Sequence, residues 1–338
     1  MKNLEVLYVG SWKGMEADLV TEAGYDFEGI SCGKLRRYFS WENFFDVFRT
    51  LWGILQSVRI ISRYKPELVF CKGGYVSTPV AIASWICRKP LIIHESDLEI
   101  GLANRIAAKF AKYVCVSFPE TIEIWKKRKN ALASKMILSG SPVRAELREG
   151  IAEKGWEFTG FKPGKKVILV MGGSQGAQFI NELIWFNQDR LLEKYQLIHV
   201  CGKGKIPPDI KHRDGYFSCE YIGEELKDVY AITDLIVGRA GANSLAEIAF
   251  LSKPAILIPL VVGSRGDQVS NAESFAKNHP AIVLNERDID YHQFDLLSRI
   301  EELLKLPINP NNSADSDASA KIVELIINTT QPHGQTKA

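Results

Sequence analysis

The sequence predicts an α/β protein made of two doubly wound halves, each a parallel sheet with helices on both faces. Three observations carry that prediction. Short runs rich in β-branched residues alternate with longer helical stretches along most of the chain. Most of those runs are nearly continuous in apolar residues, as expected of parallel strands covered on both faces. The 338 residues are enough for two domains of ordinary size.

In chain order, strands are expected at residues 5–9, 68–71, 91–94, 113–116, 167–171, 197–201, 235–237 and 255–259. Helices are expected between them, at 44–63, 79–87, 102–111, 181–192, 244–251 and 268–277. The turn-rich stretch "FKPGKK" (161–166) starts the second half, so the boundary falls between Pro142 and Lys165. The expected domains are 1–150 and 151–310, followed by a terminal segment, 311–338. That segment holds a polar loop, a last helix over "AKIVELIIN" and a frayed tail. Clefts are expected at the carboxyl ends of the strands of both halves, suiting a substrate in two parts.

Composition narrows the class. Hydrophobic residues make up 46% and charged residues 24%, values of a globular protein. A net charge of +2 implies no basic face, so no nucleic-acid partner is expected. The six cysteines include no C-x-x-C pair and are expected to be buried free thiols in a reducing cytosol. No apolar run has the length of a membrane span and no signal peptide opens the chain, so the expected location is cytoplasmic.

Several strand ends carry candidate chemistry. After the run at 167–171 comes Gly172-Gly173-Ser174-Gln175-Gly176-Ala177, then a helix. Glycines let the backbone approach a phosphate, a helix start supplies free N–H groups, and Ser174 adds a hydroxyl donor. The alternative is a tight turn with no ligand. "GRAGANSLAEIAF" (238–250) repeats the strand–glycine–helix pattern, with Gly241 and Ala242 at the turn. Glu247 there either completes a capping box with Ser244 or accepts the two hydroxyls of a ribose, since a carboxylate offers a pair of acceptors. Asp267, Gln268 and Asn271 open a later helix, where amides suit sugar hydroxyls, or form an ordinary polar first turn.

The first half offers Gly73, Gly74 and Tyr75 after one strand, and His94, Glu95 and Asp97 at the end of another. His94 is as readily structural as catalytic. Arg144 is a candidate diphosphate clamp, or a solvated side chain near the domain junction. Two acidic pairs, Asp288 with Asp290 and Asp315 with Asp317, are read as solvated, the first opening a late surface helix, and no metal site is expected. Lys34, Arg36 and Arg37 precede a helix carrying Phe44, Phe45, Phe48, Leu51, Trp52, Ile54 and Leu55. That is more apolar surface than one core-facing stripe needs. The helix is either a patch for an anionic membrane or buried on two sides.

These pieces, in this order, resemble the MurG-type peptidoglycan glycosyltransferases. The resemblance runs from about residue 5 to 284 and rests on "GMEADLV", "GGYVSTP", "HES", "GLANR", "SFPET", "GSPVR", "GGSQGA", "RAGANSLAE" and "DQVSNA". It implies a GT-B fold, two Rossmann-like domains around a cleft. It implies transfer of GlcNAc from UDP-GlcNAc to undecaprenyl-diphospho-N-acetylmuramoyl-pentapeptide (lipid I), on the cytoplasmic face of the membrane, with no cofactor. By matched motif, Gly172, Gly173, Ser174, Gln175 and Gly176 would hold the UDP diphosphate, assisted by Arg144. Glu247 would bind the ribose beside Gly241 and Ala242. Gln268 and Asn271, with Asp267, would border the GlcNAc. Gly73, Gly74 and Tyr75, with Asp97, would lie on the acceptor side, and Arg36, Arg37, Phe48, Leu51, Trp52 and Leu55 would face the membrane.

The chain also departs from that family. Members open with a strand and a Gly-rich loop of the type G-G-T-G-G-H, whereas "MKNLEVLYVG" matches the family's second strand. The missing strand is central in a 3-2-1-4-5 sheet, so its loss removes ladder bonds on both sides. The expectation is a true start upstream; the alternatives are a segment supplied by another chain, or a degraded copy. For function, the alternatives are the same fold acting on another lipid-linked acceptor, or a non-catalytic protein that binds a sugar nucleotide. Asp97 and Asp267 stand where the family usually has Asn and His or Gln, which bears on donor-sugar preference. Without the loop histidine, His94 and Glu95 are the candidate bases of the first half.

Overall fold

The structure, a computed structural model, describes residues 4–12, 16–33, 41–173, 175–208, 213–261, 266–291, 293–306 and 318–330, with backbone alone at 41–45. The chain divides into two compact units. One comprises Met1–Ser96, Ile100–Ser139 and Ala320–Ala338; the other comprises Asp97–Glu99 and Gly140–Ser319.

The first unit runs β1 (Leu7–Ser11), α1 (Glu16–Glu22), β2 (Asp26–Ile30), α2 (Trp41–Tyr64), β3 (Val69–Cys71), α3 (Ser77–Ile86), β4 (Leu91–Glu95), α4 (Leu102–Phe110), β5 (Tyr113–Val116), α5 (Pro119–Lys127) and β6 (Met136–Leu138). Its strands form two separate parallel ladders, β1-β2 and β3-β4-β5-β6. Among the described residues no ladder joins them. Side-chain alternation in β4 and β5 sorts two cores. Leu91, Ile93, Val114 and Val116 point into one, with Ile60, Val80, Ala107 and Ala108 of the helices. Ile92 and Cys115 point to the other face.

The second unit continues with α6 (Ala152–Thr159), β7 (Lys166–Met171), α7 (Gln178–Lys194), β8 (Tyr195–Val200), β9 (Tyr216–Cys219), α8 (Leu226–Ile232), β10 (Leu235–Gly238), α9 (Ala242–Phe250), β11 (Ala255–Leu257), α10 (Asp267–Ala276), β12 (Ala281–Val283) and α11 (Leu296–Leu304). Its sheet is parallel throughout, in the order β12-β11-β10-β7-β8-β9. Counted within the unit this is 6-5-4-1-2-3, the doubly wound order, with its switch point between β7 and β10. Ile168, Val170, Leu197, Leu235 and Val237 pack with Ile180, Leu183, Ile184 and Leu191 of α7 as the core. The last helix, α12 (Ala318–Thr330), sets Ile322, Leu325 and Ile326 over Ile92 and Cys115 of the first unit.

Four strands, β2, β6, β9 and β12, lie outside the expected set, and each is a sheet edge. Edge strands are wetted on one side and need no long apolar run: β2 reads DFEGI, and β6 and β12 have three residues each. Asp288 does not open a helix as expected. It closes a 3-10 turn, Glu286–Asp288, capped by Asn285, and the following helix starts at Leu296 because Asp295 caps it by accepting from the Ser298 N–H. Asp315 and Asp317 lie outside the described residues. The thiols are free: Cys71, Cys115 and Cys201 are buried, the other three partly so. Burial pushes Cys71 and Cys201 up to about 12, which leaves them unreactive.

Candidate functional site

The site assembles at the switch point of the second unit. β7 and β10 are paired in register, with Met171 opposite Gly238, so the two glycine turns leave the sheet side by side from the same edge. This is where doubly wound sheets bind ligands, because crossovers before and after the switch point run to opposite faces and leave a crevice. At Gly176 the backbone has φ +69°, and a Cβ there would lie 2.0 Å from the Cys201 carbonyl oxygen. Only glycine lets the turn close so tightly against β8. Ser174 lies outside the described residues; Gly172, Gly173 and Gln175 make up the rest of the turn.

Two helices begin at these turns. The N-caps, Ala177 of α7 and Gly241 of α9, make no side-chain cap bond. Their first-turn N–H groups and the positive ends of both helix dipoles are therefore available to an anion. The capping-box reading of Glu247 does not hold. α9 starts at Ala242 rather than Ser244, which places Glu247 at the sixth helical residue, beyond the first turn. Its Oε2 instead accepts the phenolic O–H of Tyr230, from α8, at 3.0 Å. Arg144 lies close enough for its charge to act on the same phenol.

A buried chain of hydrogen bonds holds the start of α7. Trp185 Nε1–H donates to Tyr216 Oη (3.1 Å), and that hydroxyl donates to His199 Nδ1 (2.9 Å). His199 Nε2–H donates to Asn181 Oδ1 (3.0 Å), whose Nδ2 donates to the Cys201 carbonyl (3.0 Å). Trp offers only a donor and the Asn181 Nδ2 is already committed as one, so the donor sequence fixes the tautomer: Nδ1 accepts and Nε2 carries the proton. His199 and Asn181 are 0% exposed. Burial drops the imidazole to about 3, so it stays neutral. Lys205 Nζ donates to the Gly176 carbonyl at 3.1 Å, bringing a cation to the glycine turn. Arg239 is bound to Glu286 and to the Ile258 carbonyl, bracing the second turn against the end of β11. Of these groups only Arg239 belongs to a motif named from sequence.

α10 opens with the other polar residues. Gln268 Oε1 accepts from the Leu260 N–H at 2.9 Å, which leaves its NH2 group to donate elsewhere. Asn271 is buried: its Nδ2 donates to Asp97 Oδ1 and its Oδ1 accepts from the Leu98 N–H, both at 2.9 Å. Asp267 is the first residue of α10, after Gly266 in the left-handed region.

In the first unit, Gly73, Gly74 and Tyr75 form the turn between β3 and α3, and Ser77 Oγ donates back to the Gly73 carbonyl. His94 is fully buried, with Nδ1 3.4 Å from Ser96 Oγ. Glu95 Oε2 accepts from the Gly101 N–H (2.9 Å) and from Asn104 Nδ2 (3.0 Å), and that same amide group also donates to the His94 carbonyl. On α2, Phe48, Leu51, Trp52 and Leu55 are 53–61% exposed. This is a one-sided apolar stripe rather than a helix buried on two sides. Arg36 and Arg37 lie outside the described residues. Among the described residues no helix is long and apolar enough to cross a membrane.

Residues 1–116 match the glycosyltransferase family 28 N-terminal domain, and residues 167–329 match the corresponding C-terminal domain. A UDP-N-acetylglucosamine–N-acetylmuramyl-(pentapeptide) pyrophosphoryl-undecaprenol N-acetylglucosamine transferase of Clostridium botulinum (strain Kyoto / Type A2) is 42% identical over 325 residues, 95% of this chain and 90% of that one. Its namesake from Clostridium perfringens is 43% identical over 302 residues, 89% of this chain and 82% of that one. Among solved structures, Acinetobacter baumannii MurG superposes with a TM-score of 0.71 at 23% identity, covering 96% of this chain and 91% of that one. A Neisseria meningitidis UDP-GlcNAc 2-epimerase, solved with UDP-GlcNAc, superposes with a TM-score of 0.64 at 13% identity, covering 96% and 91%, a likeness of fold alone. With its doubly wound second unit, its paired glycine turns and relatives at this identity, the chain belongs to glycosyltransferase family 28, on the GT-B fold and among the MurG-type transferases.

Proposed function

We propose that this chain transfers N-acetylglucosamine from UDP-GlcNAc to lipid I, giving lipid II for peptidoglycan synthesis, with inversion at the anomeric carbon. The observation that carries the reading is the pair of glycine turns at the switch point, each leading into a helix whose N-cap residue makes no side-chain cap bond among the described residues. Such a pair suits a diphosphate, the group on which negative charge grows as the glycosyl bond breaks.

In the reaction the acceptor oxygen bonds to the anomeric carbon from the face opposite UDP. The bond from that carbon to the β-phosphate oxygen breaks, and its electron pair leaves with UDP. N–H groups of α7 and α9, with Arg144, stabilise the departing charge. Glu247 accepts from the ribose hydroxyls, and the NH2 group of Gln268, which donates to none of the described residues, donates to the sugar. The acceptor proton passes to a base, for which Glu95 and His94 are the proposed groups. Every step is a displacement or proton transfer, so the chemistry calls for no redox cofactor. The stripe of Phe48, Leu51, Trp52 and Leu55, with Arg36 and Arg37, docks the enzyme peripherally on the anionic cytoplasmic face, where the acceptor's lipid is anchored.

Calorimetric titration of UDP against the wild type and Glu247→Ala tests the nucleotide assignment. The variant should bind about tenfold or more weakly, since bonds to a charged acceptor are lost, and melt somewhat earlier, since the buried Tyr230 hydroxyl loses its acceptor. A variant that melts early but binds UDP as before would remove Glu247 from the site. A parallel assay of transfer to a lipid I analogue separates a transferase from a protein that only binds the nucleotide.

A further inference from the structure

We infer that Tyr230 is a positioning residue for the donor nucleotide: its hydroxyl fixes Glu247 so that the carboxylate meets the ribose in one orientation. The inference rests on the ribose role of Glu247 proposed above.

Glu247 lies on α9, part-buried, and a glutamate has three side-chain torsions to freeze before it can bind a diol in a defined geometry. Tyr230 is held by α8, and its ring is 1% exposed, so the phenol has a fixed place in the packing. Its O–H donates to Glu247 Oε2 at 3.0 Å. Among the described residues Oε1 takes no hydrogen bond. One oxygen is thus tied down and the other is left to a ligand, the asymmetry needed by a carboxylate that must be both oriented and available. Burial and the neighbouring carboxylate raise the phenol above its ordinary range, against the opposing charge of Arg144, so it remains a donor at neutral pH. A phenylalanine would fill the same space. What the hydroxyl adds is this one bond.

A role in packing and a role in positioning differ in what they move. Tyr230→Phe keeps the ring and removes the bond. It should raise the KM for UDP-GlcNAc and the Kd for UDP about five- to tenfold, leave kcat unchanged, and leave the melting temperature close to that of the wild type. The change should vanish for a UDP analogue lacking the 2′- and 3′-hydroxyls. It should also vanish in the Glu247→Ala background, because the phenol acts only through that carboxylate. An equal loss of affinity for the deoxy analogue, or additive losses in the double variant, would make Tyr230 a packing residue and overturn the inference. Failure of Tyr230→Phe to fold would do the same. Unchanged UDP binding in Tyr230→Phe, beside weakened binding in Glu247→Ala, would overturn this inference and leave the ribose reading standing. Unchanged binding in Glu247→Ala would overturn both.

Discussion

At the scale of single residues, the second unit is governed by groups that have one solution each. Gly176 combines a left-handed backbone with a Cβ position already filled by the Cys201 carbonyl. Gly176→Ala should therefore cost about 2–4 kcal/mol, the sum of backbone strain and overpacking, read as a lower urea midpoint with unchanged slope. Glu95 presents a sharper choice. Its two bonds to Gly101 and Asn104 brace the turn after β4, while the proposed chemistry asks it to take a proton. Glu95→Gln should lower kcat for transfer with unchanged UDP affinity if it is the base; a lower melting temperature with kcat intact would make it a brace alone.

At the scale of elements, α7 is fastened to β8 and β9 by the chain of bonds through His199, Asn181 and Tyr216. The folded state keeps His199 neutral down to about pH 3, whereas the unfolded chain binds a proton near 6.5. Between those values the unfolded state holds more protons, so stability is fully present above about pH 6.5 and falls as pH drops towards 3. The slope reaches at most about 1.4 kcal/mol per pH unit for one group. Urea unfolding across pH 4 to 7 should show it, and His199→Gln should flatten that part of the profile. α2 makes the opposite kind of element, with Phe48, Leu51, Trp52 and Leu55 each more than half exposed. Replacing Phe48 and Trp52 by Ser should reduce binding to anionic vesicles about tenfold or more, with little loss of stability, because both are already largely exposed. A stability loss without a binding change would assign the stripe to packing.

For the molecule as a whole, the chain returns on itself. α12 follows the second unit in sequence, yet its apolar face covers Ile92 and Cys115 in the first. Ending the chain before Ala318 should uncover that face. Cys115, now fully buried, should become titratable by a thiol reagent in the native state, and a Cys115→Ser control should lose the extra signal. The first unit's two ladders share one core through Leu7, Val9 and Ile30, although among the described residues no strand bonds join them. Among the described residues, side-chain contacts rather than ladder bonds hold β1 and β2 to the rest of the unit, including the Arg63–Glu28 ion pair and the Ser31 N–H donating to Gln56 Oε1, which marks these strands as the part of that unit expected to exchange amide hydrogens first.

The alternation of buried strands and helices, the two glycine turns and the order of the second unit's central elements were legible in the sequence. Period and turn chemistry are local: a strand covered on both faces must be apolar throughout, and a turn that meets another backbone must be glycine. Four edge strands, β2, β6, β9 and β12, were not legible, because a wetted strand has no such constraint, nor was the placement of α12, which depends on a face about 200 residues away. The partner of Glu247 was least legible of all. A tyrosine 17 residues upstream on another helix carries no signal until the fold brings its hydroxyl within 3.0 Å, and only that convergence separates a helix cap from an oriented acceptor.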